Sequence, residues 1–309
     1  MTTRLLMAAQ VTAVRDLSPR VRAIRVAPIH RRAFPVAAGG DHVHVQHPTG
    51  VRRDYSLVSS RGGDYEIAVQ RQDAGRGGSA LFHASQPGDP VFISYPQPGM
   101  SLDATASRHV FVAGGIGVTA IIGLLHDVSP ALDGEVHYAV NRRADAVLLD
   151  RLEASGLGVH LHVSAEGTRL DVSSLVAGLT ADTALYHCGP RSLMAALDAA
   201  GHPPERTRSE AFAVAAGPGE RLGEPFFARL LGTGRSVSVA ADETLLAALL
   251  RDGIPVDYSC EGGVCGSCVI EAPSGDLDHR DRCLNDSDRG QRLLATCVSR
   301  GRGDIALLI

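Results

Sequence analysis

Cysteines placed to bind a metal cluster lie near the C-terminal end of this chain of 309 residues. Three of them follow the spacing C-x4-C-x2-C, and a fourth lies 29 positions after the third. This spacing is typical of a plant-type [2Fe–2S] cluster, in which four thiolates hold two iron ions. The predicted metal ligands are Cys260, Cys265, Cys268 and Cys297. Glycines in the loop would let backbone N–H groups approach the sulfur atoms at positive φ; these are Gly262, Gly263 and Gly266.

A structural zinc site is the main alternative for these cysteines. Such a site normally pairs two C-x2-C clamps, whereas the fourth cysteine here stands alone. Five of the six cysteines lie in the last fifty residues. In a cytosolic chain this clustering indicates metal or redox chemistry rather than disulfides. Cys283 lies outside the spacing, and we interpret it as a packed or surface thiol that is not a ligand.

A glycine-rich turn near residue 115 could bind a dinucleotide. The apolar run Val110–Ala113 leads into G-G-I-G-V-T-A and a helix that begins near Val118. Glycines let the backbone approach a pyrophosphate, and the helix N-terminus supplies N–H groups. The turn departs from G-x-G-x-x-G, so an ordinary strand-to-helix turn remains an alternative. A later C-G-P turn at Cys188–Pro190 ends another predicted strand and should reach the same crevice, because such sheets bind ligands at the carboxyl ends of their strands.

Two polar segments in the first hundred residues could hold a phosphate and a polar ring. The segment Arg53–Ser56 reads R-D-Y-S, and Gly75–Ser79 reads G-R-G-G-S before a short predicted helix. A guanidinium and a glycine-rich helix start suit a phosphate, and a hydroxyl suits a polar ring edge. In isolation, each segment is more typical of an ordinary turn or a solvated charge than of a ligand site. The residues alone do not establish a flavin site.

The elements that must position these residues change character near residue 108. Before it, short strands separated by turns predict a small antiparallel β-barrel. After it, strands alternate with helices, which predicts a doubly wound parallel sheet. Beyond a Gly- and Ala-rich linker, a hairpin flanks Gly232–Gly234, and Asp242 is predicted to cap a helix over Glu243–Arg251 that stops at Gly253. The predicted domains are 1–105, 106–215 and 225–309, with a linker over 216–224.

Composition and charge argue against two classes of partner. The net charge is −4 and no basic stripe stands out, which disfavours nucleic acid. The longest apolar stretch, Val110–Leu125, is interrupted by glycines and is shorter than the roughly 20 residues of a membrane span. The N-terminus has no convincing signal-peptide core. We therefore expect a cytoplasmic protein that binds neither membrane nor nucleic acid.

With these motifs in this order, the chain resembles the phthalate dioxygenase reductase family, which includes the vanillate demethylase reductases and lies within the ferredoxin–NADP reductase-like superfamily. The resemblance covers nearly the whole chain and implies a flavin-binding β-barrel, an α/β nicotinamide-binding domain and an α+β β-grasp ferredoxin domain. By this resemblance, the residues that hold the flavin are Arg53, Tyr55, Ser56, Ala68, Val69, Arg71, Gly77, Gly78 and Ser79. Those at the nicotinamide dinucleotide are Gly114, Gly115, Gly117, Thr119, Cys188, Gly189 and Pro190.

The resemblance also implies which residues stand closest to the reaction. The family's E-x-F segment resembles Glu210–Phe212, where the phenyl ring would shield the flavin. The expected catalytic residues, which act as positioners, are Ser56, Cys188, Glu210 and Phe212. FMN is favoured over FAD because phthalate-type members carry FMN. Ala120 stands where relatives often have Pro, which leaves the start of the helix less fixed.

The implied activity is an electron relay. NAD(P)H delivers two electrons together, an iron–sulfur cluster accepts one at a time, and a flavin bridges the difference. The resemblance favours NADH, although Arg142 and Arg143 could equally take the 2′-phosphate of NADPH or be solvated. The favoured acceptor is a partner oxygenase of the Rieske type, an aromatic-ring hydroxylase or demethylase. A cytochrome P450 acceptor and a redox-sensing role are the alternatives.

Overall fold

The computed structural model describes residues 6–72, 78–126, 128, 132–212, 222–258, 262–263, 266–281 and 283–309. The chain forms two compact units, which comprise residues 1–212 and 213–309. Cys260, Cys265 and Gly77 fall outside the described residues.

The first unit begins with an antiparallel sheet of six strands in the order β4-β3-β6-β1-β2-β5. Alternate residues of β1, such as Met7, Ala9 and Val11, are buried, which is the pattern of a strand with one face on a core. The backbone N–H of Val58, just after β4, donates to the carbonyl of Glu66 in β5 (2.8 Å), so the sheet curls toward closure. The elements are β1 (Leu6–Ser18), β2 (Val21–Pro28), β3 (His42–Gln46), β4 (Arg52–Ser56), β5 (Tyr65–Gln70), α1 (Gly78–His83) and β6 (Pro90–Ser94).

A parallel sheet of five strands follows in the order β11-β10-β7-β8-β9. All seven residues of β10 are buried, as expected for a central strand covered on both faces. The elements are β7 (Arg108–Gly114), α2 (Val118–Leu125), β8 (Gly134–Val140), α3 (Leu149–Glu153), β9 (Gly158–Val163), α4 (Val172–Ala177), β10 (Thr183–Gly189), α5 (Arg191–Ala199) and β11 (Thr207–Ala211). The antiparallel barrel and the parallel sheet predicted from the sequence are thus both confirmed.

The barrel and the parallel sheet share one hydrophobic core within the first unit. Val21 and Val58 of the barrel pack in the same buried cluster as Ile121 of α2. The Arg151 guanidinium of α3 lies 2.7 Å from the carboxylate of Glu66, which is 7% exposed. This shared core fixes the position of β4 against the carboxyl ends of the parallel strands.

The second unit has the β-grasp arrangement of a short mixed sheet with a helix on it. Strand β12 pairs antiparallel with β13 and parallel with β18, and buried residues of α6, among them Leu245 and Leu249, pack on these strands. The elements are β12 (Phe226–Leu230), β13 (Ser236–Val239), α6 (Leu245–Arg251), β14 (Val269–Glu271), β15 (Leu277–Asp278), α7 (Asp286–Gly290), β16 (Leu293–Ala295), β17 (Arg300–Gly301) and β18 (Ile305–Leu307).

The predicted start of α6 was wrong by two residues. The helix begins at Leu245 rather than Glu243, and its N-cap is Thr244 instead of Asp242. The Thr244 hydroxyl accepts a hydrogen bond from the backbone N–H of Ala247 (3.1 Å), which satisfies one free donor of the first turn. Gly253 adopts the left-handed conformation expected of a helix stop (φ +74°).

A buried arginine ties the beginning of the second unit to its interior. Arg300 is 2% exposed, and its guanidinium donates to the carbonyl oxygens of Glu224 (3.1 Å), Ala240 (3.0 Å) and Glu243. It also stacks over the ring of Phe226, with 5.1 Å from Cζ to the ring centroid.

Residues just before β12 also bond into this unit. The N–H of Leu222 donates to the carbonyl of Ala241 (2.6 Å), and the carbonyl of Leu222 accepts from Arg280 (2.5 Å). The last residues of the predicted linker are therefore hydrogen-bonded to the second unit, and the predicted domain limits stay a prediction.

None of the helices among the described residues combines the length and the apolar character needed to cross a bilayer.

Candidate functional site

A partly buried hydrogen bond joins the barrel to the parallel sheet. The Ser56 hydroxyl, at the end of β4, donates to Oε1 of Glu210 in β11 (2.8 Å). Ser56 is 3% exposed, and the two residues are 154 positions apart in the chain. The structure therefore brings together two of the residues predicted to stand closest to the reaction.

The Glu210 carboxyl is held in a low-dielectric setting. Its Oε2 atom is buried and has no hydrogen-bond partner among the described residues. Burial raises the pKa of Glu210 to about 7, although the hydrogen bond from Ser56 acts in the opposite direction. The carboxyl therefore holds a proton to higher pH than an ordinary glutamate, and it can donate or accept a hydrogen bond according to its protonation.

Cys188 lies beside Glu210 at the carboxyl end of β10. The two residues are paired in register, and Cys188 is also paired with Ala113 of β7. The thiol is fully buried, and burial, followed by the charge of Glu210, raises the pKa of Cys188 well above its usual value. Cys188 is therefore a neutral thiol at physiological pH and is unsuited to act as a nucleophile.

The glycine turn after β7 packs directly on this end of β10. A Cβ atom at Gly117 would lie 2.2 Å from the carbonyl oxygen of Cys188, so no larger residue fits without movement of the backbone. Gly115 has φ +52° and has open space where a Cβ would point. The Thr119 hydroxyl donates to the carbonyl of Ile116 (2.9 Å) and so stabilises the turn. The sequence correctly located the turn and the start of α2 at Val118.

The remaining residues of the C-G-P segment line the same edge of the sheet. A Cβ at Gly114 would meet the ring of Pro190 at 2.6 Å and the Cα of Gly189 at 3.2 Å. Pro190 is the N-cap of α5. The two predicted nucleotide turns therefore lie against each other at the carboxyl ends of adjacent strands, where open α/β sheets bind ligands.

The R-D-Y-S strand presents a phenol and a guanidinium near α1. Burial raises the pKa of Tyr55 far above its usual value, and its hydroxyl has no hydrogen-bond partner among the described residues. Its ring packs edge-on against Phe82 of α1 (centroids 5.8 Å apart). A Cβ at Gly78 would lie 2.4 Å from the Arg53 guanidinium, so this glycine leaves room for the charge at the start of α1. An orphaned hydroxyl and a cationic cradle fit a phosphorylated ring cofactor.

The other described residues predicted at the flavin differ in exposure: Arg71 is exposed, Ser79 is partly buried, and Ala68 and Val69 are buried. Ala68 and Val69 of β5 have buried side chains, in the shared core and the barrel core respectively. The N–H of Arg71 donates to the carbonyl of Arg20 (2.8 Å), and the Ser79 hydroxyl accepts from the N–H of Gln72 (3.0 Å). Only main-chain atoms of Ala68 and Val69 are therefore suited to contact a ligand. Phe212, at the end of the first unit, packs partly buried against the shared core.

In the second unit, two of the four predicted cluster ligands are described. Cys268 and Cys297 are each 3% exposed and share one apolar cluster with Leu246. Main-chain and hydroxyl groups of Thr296 donate to the carbonyl of Cys268 (3.2 and 3.0 Å), which holds the two cysteine segments together. Gly263 adopts positive φ (+74°), as the loop prediction required. The other two predicted ligands, Cys260 and Cys265, lie outside the described residues.

Cys283 lies beside the same loop. It is partly buried in the same apolar cluster, and its N–H donates to the carbonyl of Gly263 (3.1 Å). Burial, followed by the charge of Asp281, raises the pKa of the Cys283 thiol to about 11. A protonated, packed thiol is consistent with the predicted non-ligand role.

Both arginines after β8 form ion pairs on the surface. The Arg142 guanidinium binds the carboxylate of Asp145 through two contacts of 3.2 Å. The Arg143 guanidinium binds Glu166 through contacts of 3.1 and 2.5 Å. Each guanidinium thus has a carboxylate partner in the turns that follow β8 and β9.

Sequence reasoning missed two polar groupings. His44 of β3 hydrogen-bonds through Nδ1 to Asp54 of β4, directly across the strand pair that carries Ser56. Two histidines and a glutamate gather on β8 and β9, and a third histidine contacts one of them. The signal for both was a polar residue at every second strand position, which has meaning only once the pairing register is known.

Comparisons with known proteins support this arrangement. Residues 228–301 match the model of the 2Fe-2S iron-sulfur cluster binding domain, and this range includes all four predicted ligands. The beta subunit of the heme-dependent oxidative N-demethylase of Ectopseudomonas mendocina is 38% identical, with 98% of each chain covered. The reductase subunit of the phthalate 4,5-dioxygenase oxygenase of Pseudomonas putida is 32% identical, with 89% of this chain and 88% of the relative covered. The chain belongs to the phthalate dioxygenase reductase family.

Solved structures match this chain over nearly its whole length. The structure of phthalate dioxygenase reductase, described as a modular structure for electron transfer from pyridine nucleotides to [2Fe-2S], matches with a TM-score of 0.76 at 28% identity and covers 98% of both chains. An intact type IV self-sufficient cytochrome P450 monooxygenase matches with a TM-score of 0.75 at 32% identity, but only 41% of that chain is covered. This member of the family is therefore an oxidoreductase with a flavin barrel, a nicotinamide domain and a [2Fe–2S] domain.

Proposed function

We propose that this reductase takes hydride from NADH at the pocket formed by Ser56, Cys188 and Glu210, and passes single electrons through its [2Fe–2S] domain to an oxygenase component. The observation that carries the proposal is the 2.8 Å hydrogen bond from Ser56 to Glu210, which joins the barrel to the carboxyl ends of β10 and β11. When bound, the flavin accepts the hydride and releases its electrons one at a time.

The residues of the pocket would orient the reactants and hold a proton. Ser56 would offer its hydroxyl to the polar edge of the flavin, and Glu210, with its pKa raised to about 7, would hold or release a proton beside it. Cys188 would pack at the hydride path as a neutral thiol, and Phe212 would shield the ring. Arg53 would bind the phosphate, and the orphaned hydroxyl of Tyr55 would gain a hydrogen-bond partner.

FMN is the proposed flavin. Supporting evidence is the resemblance to phthalate-type members, which covers nearly the whole chain. The test is to release the flavin by heating the protein and to identify it by chromatography against FMN and FAD standards. FMN in a 1:1 ratio to protein is expected, and FAD at that ratio would contradict the proposal.

NADH is the proposed electron donor. The paired carboxylates of Asp145 and Glu166 neutralise the two guanidinium groups that would otherwise favour a 2′-phosphate. Comparison of kcat/KM for NADH and NADPH tests this, and a preference for NADPH would contradict it.

The proposed acceptor is a Rieske-type oxygenase that hydroxylates or demethylates an aromatic substrate, since a relative at 32% identity is the reductase subunit of a phthalate 4,5-dioxygenase. A second candidate is a heme-containing oxygenase. It is favoured by the higher identity (38%) to the subunit of a heme-dependent N-demethylase and by the likeness to a self-sufficient P450.

Steady-state turnover with artificial acceptors tests the relay itself. With NADH, the protein is expected to reduce ferricyanide and cytochrome c continuously, and the [2Fe–2S] absorption should bleach. A redox sensor would bleach once and show little turnover. Oxygenases encoded by neighbouring genes can then be purified and assayed for NADH-dependent product formation with this reductase. The oxygenase that forms product identifies which of the two acceptor classes is correct. Because the relay draws on NADH and on reduced cysteines, we propose that it works in the cytoplasm.

A further inference from the structure

A group of histidines lies on one face of the parallel sheet, apart from the proposed hydride pocket. Glu135 and His137 are alternate residues of β8, and His160 and His162 are alternate residues of the edge strand β9. In the parallel register, His137 is paired with His160. Because side chains two positions apart share a face, all four side chains point to the same side of the sheet.

The distances within this group are short enough for a single ion. Oε1 of Glu135 lies 3.7 Å from Nε2 of His137, and Oε2 lies 3.3 Å from Nε2 of His160. One ligand atom from each of these three residues lies within 4.8 Å of the others. The rings of His137 and His160 stack with centroids 4.8 Å apart and planes at 21°, and both Nε2 atoms face the Glu135 carboxylate.

A fourth residue orients the central ring. Nδ1 of His137 is 3.0 Å from Nε2 of His162, which fixes the ring and leaves Nε2 facing the carboxylate. That Nε2 atom is buried and has no hydrogen-bond partner within the described part of the chain. Histidines that bind metals usually have this arrangement, in which one ring nitrogen is hydrogen-bonded and the other is aimed at the ion.

We propose that Glu135, His137 and His160 bind one divalent transition-metal ion of the zinc class. Two imidazole nitrogens and a carboxylate are a common donor set for zinc, with water as a fourth ligand. Arg108 lies 3.2 Å from Oε1 of Glu135 and leaves Oε2 for the ion. Glu135 is the second residue of β8, at the end of the sheet opposite the carboxyl ends that form the nucleotide crevice. The bound ion would cross-link the edge strand β9 to β8.

Calorimetric titration of the oxidised, cluster-containing holoprotein with Zn²⁺ tests the site. One equivalent of Zn²⁺ should bind to this group. His160→Ala removes a ligand that is half exposed, so the protein should fold, and its binding should weaken by roughly 100-fold or more. His162→Ala should weaken binding by about 10- to 100-fold, because it removes only the orienting partner. His30→Ala, at an exposed histidine outside the group, is the matched control and should bind as the native protein does.

Electron paramagnetic resonance with Cu²⁺ identifies the ligands. Oxidised flavin and the oxidised [2Fe–2S] cluster give no signal, so the copper spectrum of the holoprotein is clean. Hyperfine coupling to two imidazole nitrogens is expected, with one lost in His160→Ala. The proposal is overturned if Zn²⁺ does not saturate a site in the native protein, or if His160→Ala binds with unchanged affinity. Neither outcome depends on electron transfer.

Discussion

At the residue scale, Glu210 carries the most information about the pocket. Its burial would be costly for a permanent charge, and the structure offers it only the Ser56 hydroxyl among the described residues. A carboxyl with a pKa near 7 changes its proton within the physiological range, which suits a residue beside a hydride acceptor.

Replacing Glu210 should change how stability depends on pH. Glu210 has a higher pKa when folded than its ordinary value of 4.5, so the stability gained from its protonation is present below pH 4.5 and is lost as pH rises to about 7. In Glu210→Gln this loss is absent. Between pH 4.5 and 8, the free energy of unfolding of the variant should therefore rise by on the order of 3 kcal/mol relative to that of the native protein.

Urea unfolding at several pH values measures this difference. Glu205→Gln, at an exposed glutamate of the preceding loop, is the control and should follow the native protein. If the free energies of unfolding of Glu210→Gln and the native protein differ by the same amount at every pH, the raised pKa of Glu210 is contradicted.

Removing the donor to Glu210 should slow hydride transfer. In Ser56→Ala the Glu210 carboxylate loses its one hydrogen bond among the described residues, which for a charged acceptor is worth about 1.5–3 kcal/mol. We therefore expect the rate of hydride transfer to fall roughly tenfold or more. Stopped-flow reduction of the flavin by NADH gives the rate. Ser56→Thr keeps the hydroxyl and should retain most of the rate; equal losses in both variants would point to packing instead.

At the element scale, the turn between β7 and α2 depends on a close backbone crossing. In Gly117→Ala the added Cβ would meet the Cys188 carbonyl at 2.2 Å. The crossing must open, so we expect a loss of about 1–3 kcal/mol in the free energy of unfolding and a raised KM for NADH. Gly178→Ala, whose Cβ would make an ordinary 3.4 Å contact, is the control. Unchanged KM in Gly117→Ala would place the dinucleotide elsewhere.

The loop after β8 should tune the choice of nicotinamide. Glu166→Gln releases the Arg143 guanidinium, which would then attract the 2′-phosphate of NADPH. Because the pair is exposed to solvent, the ratio of kcat/KM for NADPH over NADH should rise by only about two- to fivefold. Glu153→Gln, an exposed glutamate of α3, should leave that ratio unchanged. A fall in the ratio would contradict the pairing.

Local sequence predicted elements better than it predicted contacts between them. Turn glycines and apolar runs placed α2 and the hairpin of β12 and β13 within a residue or two, because those signals lie within a few positions. The cap of α6 was misplaced because Asp242 and Thr244 are both good caps, and only the fold selects the one whose side chain reaches Ala247. The histidine group needed the register of two strands, which no local pattern supplies.

At the scale of the whole molecule, the cluster should be the exit for electrons that pass to a protein acceptor such as cytochrome c. Cys297→Ser removes one of four thiolates, so the [2Fe–2S] signal after reduction should disappear. NADH-dependent reduction of cytochrome c should fall to a small fraction, whereas ferricyanide reduction, which the flavin supports, should persist. Cys283→Ser should keep both activities. Retained cytochrome c reduction without a cluster would refute the relay.

The order of antiparallel sheet, parallel sheet and iron–sulfur domain was predictable because each has its own motif. What could not be predicted is how Ser56 meets Glu210 across 154 positions, since that contact arises from the shared core of barrel and sheet. A contact between residues so far apart in the chain produces no periodic pattern in the sequence.

The buried Arg300 has a practical consequence for protein engineering. Its guanidinium holds the carbonyl of Glu224, and Arg280 holds that of Leu222. An isolated iron–sulfur domain that begins at Phe226, the first residue of β12, would lack the Glu224 carbonyl that accepts a hydrogen bond from the buried Arg300. Such a fragment would be prone to unfold from its N-terminal end. Gene fusions that borrow this module should therefore start upstream of Leu222.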